Sequence, residues 1–424
     1  MKFSGFRAFD ITKDLNFERS SGTDGERKAA EYILSKLHDL GYKAVVEEFP
    51  VVTCNISECV VEVLEPSSKK ITCLGVGLSG TTSKNEVRGR LVYLEDVNEY
   101  SAKNCGGSVA LVNSWQEFDK VKLLIEQGIG GLILINPFPN RSPPCVYIPY
   151  EWNMRIKSIP MVFITYEDAV ELLRESSSKV NLRLTQDVIP SKSQNIIAEK
   201  VGGKYRKERI MVCAHYDTTQ MSVGACDNAG GVAILLELAR IFSDEKTKRS
   251  IDFTFFGSEE LWMRGSMDYV KKHQKGLRNI QLLVNIDVQG QLIGRHYAIT
   301  SGPAKIKDYL RSLTLELGQY LEISDELGVS DCLPFNVKGV PSVWFTRAGG
   351  SAYFMHSPED TIEQIGSGPL EDAGKIIEHT IRVLANAENL PFRNIVPKQK
   401  KAEIAKFLNN KTGIQIEFNT WRLV

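Results

Sequence analysis

From about residue 190 onward the chain alternates short apolar runs with amphipathic helical patterns, and this alternation constrains the fold more than any other feature. RIMVCAH (209–215), SIDFTFFG (250–257), IQLLVNID (280–287) and VPSVWFT (340–346) read as buried strands. Between and after them, GVAILLELARIF (231–242), SMDYVKKHQ (266–274), AKIKDYLRSLTLELG (304–318) and LEDAGKIIEHTIRVLANAE (370–388) carry apolar residues at helical spacing. A strand that is apolar along its whole length needs cover on both faces, and a helix between two strands supplies it. The pattern therefore predicts an α/β fold, a mostly parallel mixed sheet sandwiched by helices. In such sheets functional groups gather beyond the carboxyl ends of the strands.

Polar residues cluster at those ends. His215 closes the first strand and Asp217 follows two residues later, on the same side of an extended chain. Asp227, in GACDNAGG, precedes the helix beginning near Gly231. Glu259 and Glu260 follow the second strand, Asp287 the third, and His356 lies in AGGSAYFMHSPEDT beyond the fourth. Singly these are ordinary features: a surface pair, a solvated turn, a helix cap. Their coincidence at strand ends points to a metal centre. Mixed imidazole and carboxylate donors suit zinc, cobalt or manganese better than calcium. His215, Asp227, Glu260, Asp287 and His356 exceed what one tetrahedral zinc needs, whereas two ions sharing one carboxylate would use them all. Such a pair polarises a carbonyl and lowers the pKa of a bound water. Glu259, on the opposite side of the chain from Glu260, is left for other work. His38, His273, His296 and His379 fit exposed helix or loop positions and receive no role.

Elsewhere, Thr23 stands three residues before Glu26 in a capping-box arrangement, opening a helix with Ala30, Ile33, Leu34 and Leu37 on one face. KAVVEEFPV and CVVEVLE read as two strands separated by turn-prone residues. From 70 to 185, VRGRLVYLE, SVALVN, GIGGLILIN and IPMVFIT alternate with the helical patterns WQEFDKVKLLIEQG and YEDAVELLRESS. This stretch contains no histidine and reads as an inserted small β-rich α+β domain without catalytic machinery. In the tail, PKQKKAEIAKFLNN predicts a solvated helix packed by Ile404 and Leu408, and IQIEF is β-prone. Lys+Arg and Asp+Glu both number 52, with no basic block, which argues against nucleic acid and membrane partners. No apolar leader segment is evident and the eight cysteines are scattered without CxxC pairs, so reduced thiols and a cytoplasmic location are expected.

AHYDT, GACDNAGGVA, FFGSEELWMRGS, LLVNIDVQG, SDCLPFNVKGVPSVWF and HSPEDT, in this order across about 190 to 390, resemble the M28 family of dinuclear zinc aminopeptidases and carboxypeptidases. The resemblance implies two zinc ions, replaceable by cobalt or manganese. His215 and Asp287 would hold one, Glu260 and His356 the other, and Asp227 would bridge. Asp217 would orient His215, Glu259 would be the general base on the attacking water, and the Asp227–Asn228 peptide bond would be cis. The family's aromatic hydroxyl just before the last histidine is here Met355; Tyr353, on the same loop, is the candidate oxyanion or substrate contact. Cys226, where relatives carry serine, reads as a small buried residue. The 70–185 insertion resembles the protease-associated (PA) domain of some members. The expected organisation is thus 1–69, the N-terminal part of the peptidase domain; 70–185, the PA-like insertion; 186–390, the catalytic domain; and 391–424, a C-terminal extension. The expected activity is aminopeptidase action on peptide substrates. The alternatives are a carboxypeptidase, with Arg347 as candidate carboxylate binder or else a simple structural partner, a glutaminyl-cyclase-like acyltransferase, and a receptor-like binding protein. Side-chain preference and homo-oligomer formation stay open.

Overall fold

The computed structural model describes residues 1–82, 86–176 and 178–413. The chain forms two compact units, one from Met1–Val51 with Ser191–Lys406, the other from Val52–Pro190 with the chain from Phe407.

In the first unit, strands Ser342–Ala348, Ile280–Ile286, Tyr205–His215 and Arg249–Phe256 lie side by side and parallel. Arg295–Ser301 joins antiparallel on one side, with Glu322–Ser324 parallel beyond it, and residues 196–200 join antiparallel on the other. The expected mixed, mostly parallel sheet is present. The period-2 alternation of Tyr205–His215 shows why both faces are dry. Ile210, Val212 and Ala214 enter one core with Leu235 and Leu238 of helix Gly230–Phe242 and with Ile377 and Ile381 of helix Ser367–Asn386. Met211 and Cys213 enter the other with Phe256, Tyr269 and Phe335.

Helix Gly230–Phe242 is buried at every position except Arg240. Its first turn presses onto the end of strand Ile280–Ile286: Asn228 Nδ2 donates to Ile286 O (2.9 Å), and a Cβ on Gly231 would stand 2.5 Å from that oxygen. Only glycine permits this approach, which brings the loop carrying Asp227 to the end of the strand preceding Asp287.

The second unit contains parallel strands Val87–Leu94, Val109–Asn113, Gly131–Ile135 and Met161–Ile164, in that order, with helices Phe118–Glu126 and Tyr166–Arg174. It begins earlier than residue 70 because Val61 and Val63 are part of its core and pair with Ile71 and Lys69. The two strands expected around residues 43–65 are one, Val45–Glu65. Thr53 and Cys54, in the turn-prone middle, are buried, and burial overrides local turn preference. The tail helix is Lys398–Thr412, with Ile404 and Leu408 buried as expected, while IQIEF falls outside the described residues. All eight cysteines are free. Among the described residues no helix is long and apolar enough to cross a membrane.

Gly231→Ala should lower unfolding stability by about 1–3 kcal/mol, the cost of forcing a methyl into a filled space. A denaturant midpoint equal to wild type would show that the helix start has room to move.

Candidate metal centre

Every strand-end residue singled out from the sequence lies in the first unit. His215 is the last residue of its strand, and its Nε2 is 3.0 Å from Asp227 Oδ1 and 3.0 Å from Asp287 Oδ1. His356 Nε2 is 3.1 Å from Asp227 Oδ2 and 3.2 Å from Glu260 Oε2. Asp227 thus turns one carboxylate oxygen to each triad, and within each triad the donor atoms lie within 4.8 Å of one another. The Asp227–Asn228 peptide bond is cis. Three non-glycine residues beside this cluster adopt left-handed backbone: Ser258 (φ 55°), Val288 (φ 60°) and His356 itself (φ 62°). Such conformations persist where surrounding contacts over-determine them, and they collect at functional sites.

Beyond Phe256 the chain leaves the sheet, so its next amides lose their strand partners. Side chains take all of them. Gly257 N donates to Asn195 Oδ1 (3.3 Å), Ser258 N to Glu26 Oε1 (3.0 Å), Glu259 N to Asp217 Oδ1 (2.9 Å) and Glu260 N to Asp217 Oδ2 (3.1 Å). Asp217 also faces His215 Nδ1 at 3.5 Å, longer than a good hydrogen bond, and accepts from Ser21 Oγ at 2.7 Å. Its main structural task is therefore to hold the backbone of both glutamates.

Several residues at the site carried no role in the sequence reading. Asp360, inside HSPEDT, accepts from Cys226 N (2.8 Å) and Asp227 N (3.1 Å) and so fixes the bridging loop. Asp331, inside SDCLPF, is fully buried, and neither of its carboxylate oxygens meets a hydrogen-bonding partner. Both lay in motifs already quoted and could have been drawn from them. Arg19 and Glu26 come from the distant N-terminal segment; Arg19 had no such signal, and Glu26 read only as part of a helix cap. Arg19 is fully buried and donates to five backbone carbonyls: Tyr216, Val223 and Gly224 next to the site, and Leu15 and Phe17.

Other expectations need correction. His296 is not on an exposed loop but on strand Arg295–Ser301, half-buried, with its Nε2 2.9 Å from Arg347 Nη1. Burial, reinforced by Arg347, pushes it down to about 4. Arg347 is itself buried and donates from Nε to Gln291 O (2.7 Å). As expected, Cys226 is buried and belongs to neither ligand triad; Tyr353 lies half-exposed in a short 3-10 turn.

The electrostatics test whether cations fit. Burial opposes the charged form of His215, but Asp287, Asp217 and Asp227 outweigh it and hold its pKa well above the ordinary histidine value. His356 is raised in the same way, by Glu260 and Asp227. Burial pushes Glu260 up to about 7, with His356 opposing, and lifts Glu259 well above the carboxylate range. Asp331 and Asp360 rise to about 7 and about 6, again through burial. Asp227 goes the other way, because contacts with both imidazoles outweigh its burial. Without a cation, the crowd of carboxylates favours the protonated form of both imidazoles. Divalent cations in the same place would displace those protons, free the Nε2 lone pairs and pair the buried negative charge. The donor set fits zinc.

Sheet and cluster together define the class: an α/β protein with a candidate metal centre assembled from imidazole and carboxylate side chains beyond the strand ends. Residues 195–381 match the model of peptidase family M28. Aminopeptidase YwaD of Bacillus subtilis (strain 168) is 27% identical over 409 residues, 91% of this chain and 85% of its own. Carboxypeptidase Q of Xenopus laevis is 25% identical over 372 residues, 81% and 78% respectively. The solved structure of BSAP, a zinc aminopeptidase from Bacillus subtilis, matches with a TM-score of 0.76 at 23% identity, over 93% of this chain and 98% of its own.

Asp227→Ala removes an oxygen from each triad and should weaken zinc retention by more than about tenfold, the scale already seen on losing an outer-shell partner. Zinc content equal to wild type after exhaustive dialysis, measured by plasma mass spectrometry, would contradict the shared-ligand geometry.

Proposed function

We propose that the protein is a zinc-dependent aminopeptidase that removes N-terminal residues from peptides. The observation that carries this reading is the division of Asp227 between two triads of metal-ligand donors. His215 and Asp287 would hold one ion and Glu260 and His356 the other, with Asp227 shared. Zinc bound there supplies Lewis acidity to the scissile carbonyl and lowers the pKa of the attacking water.

The chain's own groups do the rest. Glu259 is free of the ligand triads, and its backbone is fixed by Asp217. As general base it takes the proton of the attacking water and returns it to the leaving amine. The same carboxylate-rich wall provides a negative field for the free ammonium of a peptide N-terminus. Tyr353 is the candidate contact for the oxyanion or the substrate, given its exposure three residues before His356. We also read the unit Val52–Pro190 as a protease-associated domain, on the strand and helix pattern of its sequence.

The carboxypeptidase alternative has support in the likeness to carboxypeptidase Q, but it needs a cation for the substrate carboxylate. Arg347 is engaged with Gln291 O and His296 and is 8% exposed, which weighs against its serving as that cation.

Two tests follow. Glu259→Gln should keep zinc content at the wild-type level while kcat falls by about 10²- to 10⁴-fold, the usual contribution of a positioned acid–base group. Undiminished turnover would refute its role as base. In a panel of free-amine, amine-blocked and C-terminal dipeptide substrates, only free-amine substrates should be cleaved. Cleavage of blocked peptides from the carboxyl end would replace the aminopeptidase reading by the carboxypeptidase one.

A further inference from the structure

The segment Arg19–Glu26 lies far outside residues 195–381, yet it meets the turn that carries both glutamates. Glu26, in the first turn of helix Asp24–Asp39, is 1% exposed. The sequence suggests a capping box, in which its carboxylate would return to the amide of Thr23. Half of that arrangement is present: Glu26 N donates to Thr23 Oγ1, although at 3.5 Å. The carboxylate itself is directed elsewhere. Oε2 accepts from Gly22 N (2.7 Å), and Oε1 receives Ser193 Oγ (2.7 Å), Ser258 N (3.0 Å) and Ser258 Oγ (3.2 Å).

Ser258 is the left-handed residue immediately before Glu259. Its only backbone donor and its hydroxyl both end on Glu26 Oε1, so this one oxygen holds the residue at which the chain turns out of the sheet. Gly257 shows how tightly this place is filled. A Cβ there would stand 2.4 Å from Ser193 Oγ, 2.7 Å from Gln194 O and 2.8 Å from Glu26 Oε1, so a side chain at 257 would collide with the strand backbone as well as with the carboxylate. Ser21 adds a second contact from the same segment, donating to the Asp217 oxygen that also receives Glu260 N.

We propose that Glu26 is a positioning residue for the general base: its carboxylate holds Ser258 in the left-handed turn that aims Glu259, making the helix Asp24–Asp39 a working part of the active centre. The inference rests on the reading of Glu259 as base. Glu26 touches neither substrate nor reacting atoms and acts only through Ser258. Its loss therefore bears on the chemical step, with less effect on substrate capture or on the ligand triads.

The test uses full-length protein with two variants, Glu26→Ala and Glu26→Gln. In the first arm, hydrogen exchange is measured by mass spectrometry on peptides covering Phe256–Leu261, in zinc-loaded and zinc-free protein. Glu26→Ala should speed exchange there by at least about tenfold, because the Ser258 amide loses its acceptor, and Glu26→Gln should do so less, because a carbonyl acceptor remains. In the second arm, kcat should fall by about 30- to 100-fold in Glu26→Ala with KM within about threefold and zinc content unchanged, the scale of a misaligned catalytic group. Glu26→Gln should recover much of that loss, and it carries the test if the alanine variant does not fold. Unchanged exchange in this segment would overturn the proposal, as would a kcat that is unchanged per zinc-loaded molecule or falls only in step with lost zinc. If the wild-type protein cleaves no peptide, the functional reading fails and the exchange arm alone decides whether Glu26 holds the turn.

Discussion

The structure depends on keeping a crowd of carboxylates together at one edge of a sheet. Asp217, Asp227, Asp287, Asp331 and Asp360 are buried, and Glu259 and Glu260 stand among them. Unpaired buried charge is among the most costly features a fold can contain. Each carboxylate therefore needs a compensating donor, proton or cation, and the local architecture is arranged around supplying them. Backbone amides serve Asp217 and Asp360, and imidazoles serve Asp227, Asp287 and Glu260. Arg19 adds a buried positive charge that touches backbone carbonyls, not carboxylates, and so raises the local potential without occupying a ligand position.

The backbone accounting explains why the same residues recur. A parallel strand that ends at such a site leaves its last amides without partners, and each unpaired buried N–H costs about 1–3 kcal/mol, less than an unpaired charge but enough to demand an acceptor. Here the two deficits cancel. The amides of Gly257–Glu260 fall to Asn195, Glu26 and Asp217, and those of Cys226 and Asp227 fall to Asp360. Adjacent Glu259 and Glu260 can then do different work, one in a ligand triad and one outside it, because their backbone is fixed by groups that are not themselves ligands.

Much of this was legible in the sequence. Strand-ending apolar runs located His215, Glu259, Glu260 and Asp287 because the period of the strands and the placement of sites in α/β sheets are general physics. Asp227 and His356 followed from the same logic on the loops. What was not legible depends on chain segments that meet only in three dimensions. Glu26 reads locally as a cap, and nothing in TDGE announces that its carboxylate crosses to Ser258. Asp331 and Asp360 sit beside motif residues that drew attention first. His296 was misplaced because strand Arg295–Ser301, RHYAITS, carries too few apolar residues to show strand periodicity. The continuous strand Val45–Glu65 escaped for a related reason: local turn preference yields to burial that only the folded partner elements create.

The central claim is that this carboxylate and imidazole cluster is a centre for two cations sharing Asp227. Anomalous diffraction from crystals of the zinc-loaded protein, collected on both sides of the zinc absorption edge, tests it most directly. Two peaks are predicted, one between His215 and Asp287 and the other between Glu260 and His356, about 3.5–4 Å apart and both within ligand distance of Asp227. A single fully occupied peak, or two peaks that do not share Asp227, would contradict it.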